Sequence, residues 1–178
     1  MHLFLAIEPP EEIKQLTFEK LSVLRDTYKS YSWVDPKDYL LTLHHFGPFH
    51  EAKSLALEIR DLLLGQKKLY LSSRGLDLIM REKISIHTIF YRDKELEKIV
   101  EKIKEKWGKK NANSLSFAPH LPVGSCRIPS KQQYFLLKKK LENTKLEVEF
   151  LVDKIFLYES IQDNSTANCK KVEEFSLL

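Results

Sequence analysis

Glycine is scarce, with five in 178 residues. That excludes a phosphate loop of the G-x-x-x-x-G-K type, whose glycines let the backbone approach the phosphates. Cysteine is scarcer still. Cys126 and Cys169 are the only two, and without a C-x-x-C pair or a His/Cys cluster they offer no zinc set. Two isolated thiols fit a reducing compartment. Long apolar runs are also missing. The opening Met1-His2-Leu3-Phe4-Leu5-Ala6-Ile7 meets Glu8 too soon for a signal peptide, and no run of about 18 apolar residues occurs. The expectation is a cytoplasmic chain that does not enter a membrane.

The content is that of an ordinary folded protein, 43% hydrophobic and 30% charged,. The length suits one domain over residues 1–178, built as one unit or as two small lobes around a shared core,. A net charge of +4 permits nucleic-acid binding without demanding it,. Many lysines alternate with glutamates, as between Glu95 and Lys106, which reads as a solvated helix face,.

Leu3 to Ile7 reads as a buried strand. Pro9 and Pro10 then open a helix from about Glu11 to Tyr28, carried by Ile13, Leu16 and Leu24,. A second strand spans Tyr39 to Phe46, ended by Gly47-Pro48, and a helix runs from Glu51 to Leu64, closed by Gly65,. Strand-like runs follow at Lys68 to Ser72, Leu76 to Met80 and Ile84 to Tyr91. Ile99, Val100, Ile103 and Trp107 mark the clearest helix, with Gly108 just beyond it,. Lys109 to Ser116 is a polar loop, and a short strand follows Pro119. Ser130-Lys131-Gln132-Gln133 is a capping box opening the last helix,. Strands at Leu146 to Val152 and Lys154 to Tyr158 close the core. This order predicts an α+β fold with antiparallel sheets rather than a doubly wound parallel one.

Six histidines carry the chemical interest: His2, His44, His45, His50, His87 and His120. Two imidazoles can work on a phosphodiester without a metal, one taking a proton from water and one giving a proton to the departing oxygen. Neighbouring hydroxyls can hold the phosphoryl oxygens. On a strand, residues i and i+2 share a face, so a His-x-Thr strand aims an imidazole and a hydroxyl into one pocket. Two segments approximate such strands: Leu40-Leu41-Thr42-Leu43-His44-His45-Phe46-Gly47, preceded by Trp33-Val34-Asp35-Pro36, and Phe117-Ala118-Pro119-His120-Leu121-Pro122.

The first of these resembles the W-V-x-P-x-x-L-H-L-T-L-x-F-L-G signature of the LigT-like RNA 2',3'-cyclic phosphodiesterases, the 2H phosphoesterases also named 2'-5' RNA ligases. The second is similar to their F-x-P-H-x-T-L signature. Leu3 to Ile13, Lys154 to Ser160 and Val172 to Phe175 resemble the family's first strand and turn, a late strand and its last strand, so the likeness runs along nearly the whole chain.

The resemblance implies an α+β fold of two pseudo-symmetric lobes with antiparallel sheets around a central groove. It implies a substrate, RNA or an oligonucleotide ending in a 2',3'-cyclic phosphate, with no cofactor and no metal, and a monomer is the expectation. Carried over, it makes His120 the proton acceptor and Thr42 a phosphoryl ligand. The donor position holds Leu40 and the second hydroxyl position holds Pro122. Each signature has therefore lost one functional residue, and the alternative is a silent descendant that binds RNA ends or nucleotides.

His44 is the candidate replacement donor. Regular alternation puts it on the face of Leu40 and Thr42, about 7 Å from Thr42. Alternation sends His45 to the other face as a core residue, and His87 reads as a core or cross-strand residue. Arg127 is a candidate phosphate contact and Trp33 a candidate base-stacking residue. On sequence alone, Leu40→His is expected to raise turnover by about 10²–10⁴.

Overall fold

The computed structural model describes residues 2–48, 51–80, 84–108, 117–127, 130–160 and 169–178. His50 and the polar loop expected over 109–116 lie outside them. Two antiparallel sheets form the frame. The first orders its strands β3-β1-β8-β9, from β1 (His2–Ile7), β3 (Leu41–Pro48), β8 (Lys154–Ser160) and β9 (Cys169–Ser176). The second orders β2-β6-β5-β4-β7, from β2 (Ser32–Trp33), β4 (Leu69–Met80), β5 (Ile84–Phe90), β6 (His120–Cys126) and β7 (Glu149–Val152).

The two sheets share one logic. In the first, β1 leads through helices α1 (Glu11–Lys20) and α2 (Ser22–Thr27) to its neighbour β3, and α3 (Ala52–Leu63) follows. In the second, β5 leads through α4 (Lys94–Trp107) to its neighbour β6, and α5 (Lys131–Glu142) follows. The motif strands β3 and β6 are thus topological equivalents. They approach within 8 Å of each other where the sheets meet.

Local chemistry explains most boundaries. The Asp93 side chain caps α4 by accepting from the Leu96 amide at 2.8 Å,. Ser130 caps α5 by accepting from Gln133, as its capping box predicts. Gly108 ends α4 where a Cβ would run into the Lys104 carbonyl. The helix expected from Glu11 to Tyr28 is broken at Leu21 into α1 and α2. The two strands expected on either side of Gly75 form one long β4, because the register shift between Ser73 and Gly75 absorbs the irregularity,.

Strand alternation sorts the apolar residues. Leu3, Leu5 and Ile7 of β1, with Leu41 and Leu43 of β3, join the main core. Residues from the helices and from one face of the second sheet complete it: Leu76, Leu78, Ile86, Leu121 and Val123 are among them. The opposite face of the first sheet carries a second, smaller cluster of Phe4, Ala6, Leu40, Phe156 and Tyr158. Phe4 stacks on Tyr158 with ring centroids 5.4 Å apart.

Candidate functional site

His120 opens β6. Its Nδ1–H donates to the Ala118 carbonyl at 2.8 Å. That bond fixes the tautomer of the neutral ring and leaves the Nε2 lone pair available to take a proton. Pro122, two residues on, shares its face and offers neither a hydroxyl nor an N–H. Directly opposite Pro122 on β5 stands His87, and residues paired in this way point to the same side of a sheet. The His87 and His120 rings meet edge to face with centroids 4.9 Å apart.

His87 is anchored from behind. Ser85 donates to the Ile79 carbonyl at 3.3 Å, so its oxygen is placed to accept from His87 Nε2–H at 2.8 Å. His87 is buried, as the sequence suggests, but it lies on the His120 face and not in the main core. Alternation along β5 carries the signal: Ile86 and Phe90 enter the core while Ser85 and His87 face away.

The first sheet contributes β3. Thr42 pairs with Ala6 and so shares the face of Leu40 and the small cluster. The register then slips: Ala6 faces Thr42, but Leu5 faces His44 and Phe4 faces His45. One extra residue in β3 therefore reverses the alternation after Leu43. His44 falls on the core side, where it meets Phe46 edge-on at 4.9 Å, and Phe46 in turn meets Trp107. His45 comes round to the Thr42 face and packs on Phe4 at 5.5 Å. The sequence-based assignment of faces to these two histidines is thus exchanged by the bulge.

His44 is ill suited to donate a proton. Burial, with smaller contributions from the neighbouring positive charges of His45 and Lys104, pushes its imidazole down to about 4. Its Nε2 is buried without a hydrogen-bond partner. As pH falls, the unfolded chain binds this proton first. The stability gained from keeping the ring neutral is complete above about pH 6.5 and is lost progressively towards pH 4,. We expect wild type to lose about 1–3 kcal/mol across that window which His44→Phe does not lose. Urea unfolding at several pH values checks this, and parallel curves for the two proteins would refute it.

Leu40 is 2% exposed. It edges a shallow cleft of about 380 Å³ that is also lined by Glu8, Lys37, Tyr158, Cys169 and Lys171. Glu8 organises this end. It accepts from Lys14 at 2.7 Å and from the Tyr158 hydroxyl at 2.9 Å, and it pairs with Lys171 at 2.8 Å. Burial alone would raise the Glu8 carboxyl, but these bonds outweigh it and hold the group down at about 2. Burial and the bond to Glu8 push the Tyr158 phenol up. At the position that resemblance assigns to a donor, the chain has an apolar plug beside a carboxylate with its charges paired.

The other sequence candidates lie apart. Trp33 covers Gly124, where a Cβ would stand 3.0 Å from its ring, and its Nε1–H donates to the Tyr28 carbonyl at 3.1 Å. Its ring packs against Gly124 and Tyr31. Arg127 is exposed and lines a cleft of about 470 Å³ with Ser30, Tyr31, Ser32, Ser125 and Cys126. Among the described residues no group of three or more His, Cys, Asp or Glu side chains could hold a metal ion, and no helix is long and apolar enough to cross a membrane.

The fold recurs in solved structures. The Thermus thermophilus protein TT0787 superposes with a TM-score of 0.75 at 19% identity, covering 99% of this chain and 98% of that one. Escherichia coli LigT in its apo form gives 0.68 at 16% identity over 99% and 96%. The fold is that of the 2H phosphoesterases. Kluyveromyces marxianus Usb1 shares it more distantly, with a TM-score of 0.54 at 15% identity over 88% and 92%. LigT has been crystallised with ATP, NADP+, 3'-AMP and phosphate. No family model and no curated protein matches the sequence. On this fold, β3 and β6 are the strands that carry the two degenerate signatures.

Proposed function

We propose that the chain is a phosphodiesterase acting on RNA ends that carry a 2',3'-cyclic phosphate. His120 is the general base and Thr42 a ligand of the phosphoryl group. The observation that carries this reading is the His120 ring, set on a 2H phosphoesterase fold with Nδ1 tied to Ala118 and Nε2 left to accept a proton. Arg127, exposed beyond the end of β6, suits a contact to a flanking phosphate. The working unit is a cytoplasmic monomer, one domain over residues 1–178.

The reaction is hydrolysis. Water attacks phosphorus as His120 Nε2 takes its proton, and the product keeps a 2'-phosphate. Thr42 holds a non-bridging oxygen as charge grows there. The test offers a short oligoribonucleotide ending in a 2',3'-cyclic phosphate, with and without a chelator. We expect a 2'-phosphate product at an unchanged rate in the chelator. Loss of turnover on chelation would refute the two-histidine mechanism.

One observation favours a second reading, a silent binder of RNA ends. Leu40 cannot exchange a proton, and its burial in an apolar cluster leaves no room for a substitute at that point. Tight binding of the cyclic end without any turnover would establish it.

A further inference from the structure

If the groove hydrolyses phosphodiesters, as proposed above, it needs a source for the proton that the leaving oxygen must receive. We infer that His45 is this proton donor, working from the opposite side of Thr42 to the position that Leu40 occupies. The assignment rests on the reading of the chain as a phosphodiesterase and adds to it the residue that completes the reaction.

The register carries the argument. Thr42 faces Ala6 and His45 faces Phe4. On β1 these partners are two residues apart, so Thr42 and His45 are separated by about 7 Å despite the three-residue gap in sequence. Leu40 precedes Thr42 by two residues, which is again about 7 Å. A phosphoryl group held by the Thr42 hydroxyl therefore has position 40 on one side and His45 on the other, at equal distances along the strand.

His45 has the properties the role requires. It is exposed, whereas Leu40 is 2% exposed. Its ring rests against Phe4, which limits its orientations. Among the described residues the other imidazoles are less suitable. His44 faces the core with Phe46, His2 lies at the far end of β1 opposite Pro48, and His87 is packed against the base itself. The strands bearing His45 and His120, β3 and β6, approach within 8 Å of each other.

The step balances without a co-reactant other than water. The water oxygen bonds to phosphorus and gives a proton to His120 Nε2. The bond from phosphorus to the 3' oxygen breaks, and that oxygen takes a proton from the His45 imidazolium. The products are a 2'-phosphate and a free 3'-hydroxyl, and exchange with solvent returns both imidazoles to their starting states.

The test compares two substrates that differ in their need for a donor. One is a dinucleotide ending in a 2',3'-cyclic phosphate. The other is bis(p-nitrophenyl) phosphate, whose p-nitrophenolate departs without a proton. For His45→Ala and His45→Gln we expect a loss of about 10²–10⁴ on the first. On the second the loss should shrink to about threefold or less, because no general acid is required. Circular dichroism and urea unfolding establish that the variants are folded. Equal losses on both substrates would overturn the assignment, since they mark a binding or structural role. So would full activity in both variants, or a selective loss on the cyclic substrate in His44→Phe instead. If wild type hydrolyses neither substrate and matches His120→Ala, the phosphodiesterase reading itself fails and the assignment of His45 falls with it.

Discussion

His120→Ala is expected to lower hydrolysis of a 2',3'-cyclic phosphate by about 10²–10⁴, the usual worth of a positioned general base. The loss should appear in kcat, with KM little changed, because the imidazole acts mainly once the attacking water is deprotonated. Stability should change little, since His120 is partly exposed and its one described hydrogen bond goes to a neighbouring carbonyl. Thr42→Ala should cost about 10²–10³ by removing one donor from the developing oxyanion. Combined with His120→Ala it should add less than the product of the two, because both residues act on one phosphate. Steady-state rates for the three variants check this. Unchanged kcat in His120→Ala would remove the base from the mechanism.

Leu40→His is expected to weaken the fold without restoring a donor. The new imidazole would replace an apolar side chain packed among Phe4, Ala6, Phe156 and Tyr158. It would lose its hydration there, and the nearby Tyr158 hydroxyl is already given to Glu8. Burying an unpaired polar group and disturbing a packed cluster together cost about 2–4 kcal/mol. In a chain of this size that lowers the melting temperature by about 5–15 °C. Thermal unfolding and a cyclic-phosphate assay on the same preparation measure both effects. This reverses the expectation from the motif alone, which treats position 40 as an empty place in a working site. A gain of two or more orders of magnitude with unchanged stability would show that the cluster opens readily and that His45 is not the donor.

Several features were legible in the residues themselves. The stripe of Ile99, Val100, Ile103 and Trp107 specified α4, and Gly108 marked its end. The capping box at Ser130 opened α5. The two degenerate signatures pointed to the motif strands, with Leu40 standing at the donor position and Pro122 at the second hydroxyl position. Local backbone preferences and nearby hydrogen bonds decide all of these, and sequence encodes such short-range terms directly.

The roles of the histidines were not legible in the same way. The face that His44 and His45 present depends on one extra residue in β3 opposite β1, which shows only when the two strands are paired,. His87 reads as a core or cross-strand residue, and only the pairing of β5 with β6 shows that it touches His120. The burial of Leu40 depends on Phe156 and Tyr158, more than a hundred positions away in the chain. The sequence by itself determined α3, α4 and α5, the two motif strands and which signature residues were lost. Only the tertiary structure decided which imidazoles share a face and which position is sealed, because strand register and packing between distant segments are set by long-range contacts that no local pattern encodes.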